Sequence, residues 1–546
     1  MEQPLYLRPR VEEPLRSLLA DGAFLHRLVD GLGSPLNVLA PRRAVDNAGR
    51  FLAVYRRHRL TGRVYFAHKA NRSTALLREL AAAGGRIGVD AASAGELSHA
   101  LGCGFTADRV LATGPKDTAF LWLAARVGAT VQADSPGELE RLAALVRTHG
   151  FARVPVLLRL GDFESGHRAG GGVRVLARRS RFGTPVREAE ALLAAAARHR
   201  DAVELTGVGY HLDTVGVEEK VHALEECVRV LDACLAHGLS PRAVDVGGGF
   251  GVGYVEDAAE WDRYTTALTD AVRGARPPLA WRGHGYGLRN EHGTVRGSAA
   301  LYPAHRAVAG PAYLDDLLSL APSFGRPAAT LLLEHLHEVY SEPGRALVDQ
   351  CGLSLARVVE VRASPDDPSE HIVRLAANSG DISLEEHGVL VDPVLVPRGR
   401  GGTQNGESRG GGSAGGAPAA GPGGEPAGAA AGVYLAGNLC LEADLLTRRK
   451  VFLPRLPRPG DLLAFANTAG YAMDFRAHNA QRQPTARTVA VRRRADGWHW
   501  RPDEDYWPVD EEDDGPVRPV DEEDYGPVRP ADEDARPAEA AGGERT

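Results

Sequence analysis

The chain has 546 residues, 43% of them hydrophobic, and a formal net charge of −7 at pH 7, which is enough apolar sequence for two hydrophobic cores. Residues 501–546 carry 17 acidic and 5 basic residues, so the rest of the chain has a net charge of +5. That part shows no concentrated basic stripe, which argues against a nucleic-acid partner and suits an anionic cofactor or substrate.

The N-terminal region and the five cysteines exclude further classes. No N-terminal apolar run is long enough for a signal peptide or a membrane span, so we expect a cytoplasmic protein with no membrane partner. The cysteines are scattered, and no C-x-x-C or H-E-x-x-H motif is present. We therefore predict neither a disulfide framework nor a metal site.

From residue 63 onward, short apolar runs alternate with helical patterns. Eight strand-then-helix units predict an α/β fold, a parallel (β/α)8 TIM barrel over residues 45–350 with an insertion at about 278–325. The predicted barrel strands are residues 64–67, 86–89, 110–112, 130–133, 154–160, 204–212, 243–246 and 339–342.

A second domain, rich in predicted strands, occupies residues 351–500. A Gly/Ala/Pro-rich stretch, 398–432, interrupts it and is predicted to be disordered because it cannot bury enough apolar surface. In the N-terminal segment 1–44, residues 34–39 are predicted as a strand that joins this domain. Its other predicted strands are 353–362, 371–376, 389–396, 433–435, 461–465 and 488–491.

The C-terminal segment 501–546 is acidic and repetitive. Residues 509–519 and 520–530 form a tandem repeat that differs at one position, and a degenerate third copy follows from residue 531. Its charge and proline spacing predict a disordered, solvated tail. A binding role for the tail stays open.

Lys69, in the run Val-Tyr-Phe-Ala-His-Lys-Ala-Asn, ends the first predicted barrel strand. The chain has four lysines, and its other basic residues are arginines. A lysine that is desolvated at a strand end can lose its proton and form an imine with a carbonyl group, which an arginine cannot do. The alternative is a surface lysine that closes a buried strand.

Other reactive side chains follow the remaining predicted strands. In a (β/α)8 barrel the carboxyl ends of all strands meet on one face, so these residues are predicted to share a site there. They are Asp90, Arg159, His211, the glycines Gly247, Gly248 and Gly249, and Glu342, Gly344 and Arg345.

In the order and spacing of these residues, the chain resembles the fold-type III pyridoxal-phosphate enzymes, the ornithine/diaminopimelate/arginine decarboxylase group. The resemblance extends over residues 34–491 outside the low-complexity stretch and the insertion. It implies an alanine-racemase-type barrel with a C-terminal β-sheet or β-barrel domain, pyridoxal 5′-phosphate as cofactor, and a homodimer with shared active sites.

The resemblance assigns roles to the barrel residues. Lys69 matches the Schiff-base lysine, and Glu342 matches the glutamate that keeps the pyridine nitrogen protonated. His211 matches the histidine that stacks on the cofactor ring, and Thr214 stands where the family has a phosphate-binding serine. Asp213, between them, departs from the family pattern. The other residues that the resemblance implies for cofactor binding are Asp90, Arg159, Gly247, Gly248, Gly249, Gly344, Arg345 and Tyr471.

In the second domain, Gly-Asn-Leu-Cys-Leu-Glu-Ala-Asp resembles a family segment that crosses the dimer interface into the partner's site. Cys440 would then help to reprotonate the substrate carbon, and Asp444 and Glu442 would face the substrate. By itself, a cysteine between leucines is more often a small core residue. The family also has an acid directly after the cysteine, where this chain has Leu441.

The substrate is not identified by this pattern. In the diaminopimelate decarboxylases of the family that this chain resembles, an arginine before the cysteine segment binds the distal carboxylate of the substrate. The matching residues here, 377–396, contain no arginine. Residues 281–290 lie inside the insertion, which is expected to reshape the mouth of the pocket. These departures indicate an atypical branch with altered substrate specificity.

The resemblance thus implies a carboxy-lyase that decarboxylates an amino acid of L or meso configuration through an external aldimine and a quinonoid carbanion. A racemase or epimerase on the same scaffold is an alternative that Glu342 disfavours, because the related racemases have an arginine there. A non-catalytic pyridoxal-phosphate-binding protein is the alternative from another class, and the presence of Cys440 and Asp444 argues against it.

Overall fold

The computed structural model describes residues 4–163, 180–213, 216–321, 325–364, 367–368, 370–399 and 430–508. Its strands are β1 Leu36–Leu39, β2 Gly62–Ala67, β3 Ile87–Ala91, β4 Val110–Ala112, β5 Thr130–Ala133, β6 Val154–Gly161, β7 Thr184–Pro185, β8 Val203–Tyr210, β9 Ala243–Asp245, β10 Arg289–Glu291, β11 Thr294–Arg296, β12 Glu338–Ser341, β13 Gly352–Ala363, β14 His371–Leu375, β15 Val394–Val396, β16 Ala431–Ala436, β17 Leu445–Leu453, β18 Leu462–Ala466, β19 Arg487–Arg494 and β20 Gly497–Pro502.

The α-helices lie between these strands. They are α1 Leu15–Ala20, α2 Gly22–Leu32, α3 Arg42–Arg57, α4 Thr74–Ala82, α5 Ala94–Gly102, α6 Thr118–Val127, α7 Pro136–His149, α8 Ala189–Arg198, α9 Glu218–Cys234, α10 Ala258–Arg273, α11 Pro311–Ser319 and α12 Ala328–Glu334. Within the described residues, no helix combines the length and the apolar character needed to cross a bilayer.

Strands β2, β3, β4, β5, β6, β8, β9 and β12 form the predicted parallel barrel. Each pairs in parallel with the next, β5 pairs with β6, and β12 pairs with both β9 and β2, so the sheet closes on itself. Strands that are covered by helices outside and by side chains inside can be continuous apolar runs, as in the fully buried β3. The predicted fold class is confirmed, and the predicted barrel strands match the observed ones to within about two residues.

Side-chain caps fix where the barrel helices begin. Ser93 Oγ accepts a hydrogen bond from the backbone N–H of Glu96, and Glu96 in turn accepts from the N–H of Ala92. This arrangement is close to a capping box, for which Ser93 and Glu96 have the right spacing. Ser73 and Ser135 cap α4 and α7 in the same way. The caps place the loop after each strand at the same end of the barrel.

The second domain is built mainly of β-sheet. Its strands follow the order β17-β16-β14-β13-β1-β19-β20. In addition, β18 pairs with β13, and β15 pairs with β18. The N-terminal β1 pairs antiparallel with β13 and parallel with β19, so the chain starts in this domain, crosses to the barrel and returns. β17 and β20 were not predicted, because three consecutive basic residues, Arg448, Arg449 and Lys450, interrupt the apolar pattern of β17 and β20 is largely exposed.

The structure describes ordered chain inside both segments that were predicted to be disordered. β16 begins at Ala431, inside the predicted loop 398–432, of which residues 400–429 lie outside the described part of the chain. β20 and a short turn extend the ordered chain to residue 508, so the predicted start of the tail at residue 501 is wrong. Burial of Tyr506 and hydrogen bonds from α4 to Asp503 stabilise this stretch against its ordering entropy. Residues 509–546 lie outside the described residues.

Candidate active site at the carboxyl ends of the barrel strands

A cleft of about 340 Å³ opens where the carboxyl ends of β2, β8, β9 and β12 meet loops of the β-domain. Its lining residues are Ala67, Lys69, His211, Asp213, Gly249, Phe250, Gly251, Tyr302, Glu342, Gly344, Arg345, His387, Tyr471 and Phe475. Residues that are far apart in sequence, including Lys69, Glu342 and Arg345, thus share one cleft. A larger cavity of about 690 Å³, lined by Arg72, Asp474 and others, contains none of these three.

Lys69 lies on the short turn His68–Ala70 that follows β2, and its side chain is accessible from the cleft. Burial acts to lower the pKa of Lys69, but the charges of Asp90, Tyr471 and Glu342 outweigh it and raise the pKa above its usual value. Desolvation by itself therefore does not favour the neutral amine, because carboxylates from other strands, which the local sequence does not show, act in the opposite direction. Lys69 must pass its proton to another group before its nitrogen can react.

Asp90 is a suitable proton acceptor near Lys69. It lies at the end of β3, is 2% exposed, and accepts a hydrogen bond from the Thr113 hydroxyl. Burial and the charge of Glu342 raise the pKa of Asp90 to about 7, although Lys69 acts in the opposite direction. Asp90 can therefore gain or lose a proton near neutral pH.

Glu342 stays ionised in the floor of the cleft. Burial opposes its ionisation, but His211, Arg159 and Lys69 outweigh burial and lower the pKa of Glu342 to about 2. The amide of Gln132 lies 3.3 Å from Glu342 Oε1 and 3.4 Å from Asp245 Oδ2. Burial and the neighbouring Glu342 raise the pKa of Asp245 well above its usual value. Of the two neighbouring carboxyl groups, Glu342 is therefore the one that carries the negative charge.

His211 is held neutral against this carboxylate. The backbone N–H of Gly248 donates to His211 Nδ1 at 3.2 Å, and Glu342 Oε2 lies 3.5 Å from the same nitrogen. Burial lowers the pKa of His211, while Glu342 raises it by a smaller amount. In the neutral ring Nδ1 accepts from Gly248 and the proton lies on Nε2, so only the protonated ring lowers the pKa of Glu342; with the ring neutral, the charges of Arg159 and Lys69 keep Glu342 ionised.

The three glycines after β9 bring backbone close to the cleft. Gly247 and Gly249 have φ of +64° and +79°, which L side chains rarely adopt. A Cβ at Gly247 would lie 2.2 Å from the Tyr210 carbonyl oxygen, and one at Gly249 would lie 2.4 Å from that of Leu212. Glycine is therefore required for the turn and for this close approach.

Arg345 projects between two tyrosine rings at the same end of the cleft. Its guanidinium carbon lies 4.4 Å from the Tyr302 ring centroid and 5.3 Å from that of Tyr471. The Tyr302 hydroxyl accepts from the N–H of Val252 at 2.8 Å, and the N–H of Tyr471 donates to the Ala70 carbonyl at 2.8 Å. The two rings are thereby anchored, and they hold the arginine side chain in place.

Lys220, on α9, lies beneath the glycine turn and is fully buried. Its ammonium donates to the carbonyl of Gly248 and lies 3.4 Å from that of Val246. Burial lowers the pKa of Lys220 to about 8, although nearby carboxylates including Asp213 and Asp245 raise it. A positive charge thus lies behind the glycine turn at neutral pH.

Some predicted site residues lie near the cleft without lining it. Arg159 stands 3.8 Å from Asp134 and acts on the pKa values of Glu342, His211 and Lys69. Asp90 is buried behind Lys69. Thr214 lies outside the described residues, so its predicted contact with phosphate stays a prediction.

The predicted β-domain residues are not brought into the cleft of the same chain. Cys440 is exposed on the turn between β16 and β17, and Glu442 pairs with Arg282 at 3.3 Å on the surface. Asp444 is buried, where it accepts from the N–H groups of Ser379 and Leu439 at 2.9 and 2.8 Å. Asp444 therefore shapes the loop that presents Cys440, and it does not face the cleft of its own chain.

Sequence reasoning missed several cleft residues. Tyr302 comes from the insertion, which does contribute to the cleft as expected. His387 and Phe475 come from the β-domain, and burial together with Arg345 and Arg476 lowers the pKa of His387. His387 lies within residues 377–396, where the absence of arginine had been noted, and a search of that stretch for other polar residues could have found it.

Comparisons with known proteins place the barrel in a defined group. Residues 49–283 match the model of the pyridoxal-binding domain of pyridoxal-dependent decarboxylases. An uncharacterized protein, y4yA, from Sinorhizobium fredii is 29% identical over 88% of this chain and 94% of its own length. Diaminopimelate decarboxylase from Pseudomonas aeruginosa is 31% identical over 44% of this chain and 57% of that enzyme.

Solved structures extend the likeness to both domains. Diaminopimelate decarboxylase from M. jannaschii in complex with L-lysine has a TM-score of 0.62 and 17% identity, over 87% of this chain and 91% of that one. At this identity the likeness is one of fold. It includes the closed barrel and the separate domain rich in β-sheet.

The matched domain implies pyridoxal phosphate as the cofactor, and the residues of the cleft fit it. The Lys69 amine is accessible for the aldehyde, and ionised Glu342 can pair with a protonated pyridine nitrogen. Arg345, the glycine turn and buried Lys220 supply positive charge and approachable backbone for a phosphate. The cleft is thus complementary to the aldehyde, the pyridine nitrogen and the phosphate of this cofactor.

Proposed function

Because this chain belongs to the fold-type III family of pyridoxal-dependent decarboxylases, we propose that it removes the α-carboxylate of an amino acid as carbon dioxide. Pyridoxal phosphate supplies an electron sink for the substrate α-carbon. The observation that carries the proposal is the ionised carboxylate of Glu342, which faces the same cleft as Lys69. A carboxylate in this position keeps a pyridine nitrogen protonated, which favours decarboxylation over racemisation.

In this proposal, different barrel residues bind the cofactor and transfer protons. Lys69 Nζ, which lines the cleft, would hold the cofactor through its aldehyde group. Asp90, with a pKa of about 7, exchanges a proton with Lys69. His211, neutral and hydrogen-bonded to the Gly248 N–H, limits the rotation of the ring beside it. Arg345 neutralises the phosphate, and its two flanking tyrosines hold its orientation.

The acid that returns a proton to the α-carbon comes, in this proposal, from a second copy of the chain. Cys440 is exposed, and the next residue, Leu441, is 58% exposed, so both side chains are available to a second chain. Asp444 fixes this turn through the N–H groups of Ser379 and Leu439. A head-to-tail homodimer would bury the turn and bring the Cys440 thiol to the partner's cleft.

The proposed substrate has a side chain without a distal carboxylate. Residues 377–396 contain no arginine and contribute His387 to the cleft, whose lowered pKa makes it a neutral group at pH 7. Its neighbours at the mouth are the aromatic rings of Phe475 and Tyr471. Such a surface recognises an uncharged or aromatic side chain better than a carboxylate.

The experiment is an assay of carbon dioxide release. Purified protein with pyridoxal phosphate is incubated with individual L-amino acids and meso-diaminopimelate. We expect carbon dioxide from a substrate with an uncharged side chain and little from diaminopimelate. Borohydride reduction followed by peptide mapping must place the cofactor on Lys69 among the four lysines.

Two other results would replace the proposal. Loss of optical activity without carbon dioxide would make the chain a racemase or epimerase. Cofactor bound at Lys69 with no turnover of any amino acid would make it a pyridoxal-phosphate-binding protein. Release of carbon dioxide from diaminopimelate at the highest rate would reject the proposed substrate class alone.

A further inference from the structure

A basic groove lies on the β19–β20 hairpin, far in sequence from the cleft residues of the barrel. It has a volume of about 180 Å³, and we call it the arginine groove. Its lining residues are Ala490, Arg492, Arg494, His499, Trp500, Arg501, Tyr506 and Trp507. These residues include three arginines and a histidine but no carboxylate, so the groove is complementary to an anionic ligand.

The positive charge is arranged by the strand register. Arg492 is opposite His499, and Ala490 is opposite Arg501, so the basic side chains of the two strands alternate onto one face of the hairpin. His499 is paired with Asp496 at 2.7 Å, so an anionic segment laid across this face would meet mainly the guanidinium groups of Arg492, Arg494 and Arg501.

Aromatic surface accompanies the charge. Trp507, which lines the groove, is 59% exposed, whereas the strand register places Trp500, opposite Val491, on the other face of the hairpin. The ring of Trp507 lies 3.7 Å from the guanidinium carbon of Arg78 on α4. Exposed tryptophan beside arginine is typical of binding surfaces that bury both charge and apolar area.

The described chain ends at this groove. Asp503 accepts from the Thr74 N–H at 2.8 Å, and Arg78 donates to the carbonyls of Glu504 and Tyr506 at 2.8 and 2.6 Å. These bonds fasten residues 503–508 to α4. Trp507, which lines the groove, precedes the acidic repeat by only two residues, so the repeat leaves the folded domain directly beside its basic face.

The chain that follows has the complementary charge. Residues 509–546 carry fourteen acidic and four basic residues, a net charge of −10, and residues 510–514 are five consecutive acids. At about 3.5 Å per extended residue, Asp510 lies within roughly 7 Å of Pro508 and Asp514 within roughly 21 Å. The first acidic run can therefore reach the groove without rearrangement of the folded domain.

We propose that the acidic repeat of this chain, residues 509–530, docks onto the arginine groove. A segment tethered so close has an effective concentration of order millimolar, so a weak intrinsic affinity suffices. The proposal is independent of the catalytic activity. It also gives the repeat a consequence for the barrel, because the docked segment continues into the Asp503 contacts that cap α4, the helix that follows Lys69.

The test is competition between the tethered repeat and a free copy. A fluorescein-labelled synthetic peptide with the sequence of residues 509–519 is titrated into the full-length protein and into a full-length neutral-repeat variant. In that variant, the acids at 510–514 and 521–524 become Asn or Gln. A control variant carries Asp532→Asn, Glu533→Gln and Asp534→Asn.

We expect the peptide to bind the neutral-repeat variant at least tenfold more tightly than the wild type or the control at about 50 mM salt. The difference should disappear at about 0.5 M salt, where the Debye length is only a few ångströms. Adding Arg492→Gln and Arg494→Gln to the neutral-repeat variant should abolish binding. Hydrogen exchange of β20 should also be several-fold faster in the neutral-repeat variant than in the wild type.

Equal peptide affinity for wild type and neutral-repeat variant, together with unchanged exchange of β20, would overturn the proposal and leave the groove to a partner in trans. Binding that survives the two arginine substitutions would also overturn it, because the peptide site would then lie elsewhere. The exchange measurement uses variants outside the folded domain, so it does not depend on whether the arginine variants fold.

Discussion

Two carboxyl groups of the proposed barrel site are buried, whereas the proposed catalytic group of the β-domain is exposed. In the barrel, Glu342 and Asp90 are buried; charged neighbours lower the pKa of Glu342 to about 2, and burial together with Glu342 raises that of Asp90 to about 7. In the β-domain, Cys440 lies exposed on a surface turn. One chain therefore contains a preorganised electrostatic site, while its proposed proton donor is placed to serve a second chain.

The largest effect is expected from the barrel side, with Lys69→Ala. Loss of the amine removes both the covalent attachment of the cofactor and a proton-transfer group, so turnover should fall roughly 10³-fold or more. Absorbance after borohydride reduction and dialysis should show no retained cofactor. Lys450→Ala is the matched control, because Lys450 pairs with Glu370 on the β-domain and should keep both properties. Cofactor retention by the Lys69 variant would place the attachment elsewhere.

Cys440→Ala tests the β-domain side. We expect about a 10²-fold loss of turnover, the typical contribution of one proton-transfer group, with cofactor absorbance unchanged. Unchanged turnover would remove Cys440 from the mechanism. The turnover of a conservative Cys440→Ser variant, which keeps a weak proton donor, should lie between that of the wild type and that of Cys440→Ala.

A mixture of Lys69→Ala and Cys440→Ala proteins tests whether each site contains groups from two chains. If each site combines the barrel of one chain with the turn of another, a mixed dimer has one intact site, and equal random mixing restores about one quarter of wild-type activity. If both groups act within one chain, no mixed dimer has an intact site. Absence of recovery after verified subunit exchange would therefore reject the shared site.

Arg345→Gln should weaken cofactor binding roughly ten- to a hundredfold, because charge-assisted hydrogen bonds to a phosphate contribute about 1.5–3 kcal/mol. The dissociation constant from a fluorescence titration measures this change. Arg306→Gln is the control, since Arg306 also stacks on Tyr302, at 4.8 Å, but does not line the cleft. Equal losses in the two variants would mean that the tyrosine contact, and not the charge at the cleft, matters.

The smallest effect is expected from Lys220→Met. Protonated Lys220 favours phosphate, so wild-type cofactor affinity should fall as the pH rises through about 8, the pKa that burial gives this lysine. The variant should bind roughly tenfold more weakly at pH 7, the equivalent of one pKa unit, and should differ little from wild type above about pH 9. Titrations from pH 6.5 to 9.5 test this. A pH-independent difference would assign Lys220 a packing role only.

Much of the barrel half of the site was predictable from the sequence. The apolar runs are local, and parallel strands in a closed barrel put all carboxyl ends on one face, so Lys69, His211, Glu342 and Arg345 could be assigned to one site before the fold was known. The direction of the Lys69 pKa was not predictable, because it depends on carboxylates from other strands. The hydrogen bond that Asp444 accepts from the N–H of Ser379, 65 residues earlier, was not predictable for a similar reason.

The sequence by itself determined the eight-stranded barrel, the strand-end residues and the acidic repeat, because each depends on periodicity, local composition or the fixed topology of parallel strands. Only the tertiary structure decided that Tyr302, His387 and Phe475 complete the cleft, that Lys220 lies beneath the glycine turn and that the repeat starts beside the arginine groove. These features arise from contacts between distant segments. Packing and long-range electrostatics set such contacts, and no local pattern encodes them.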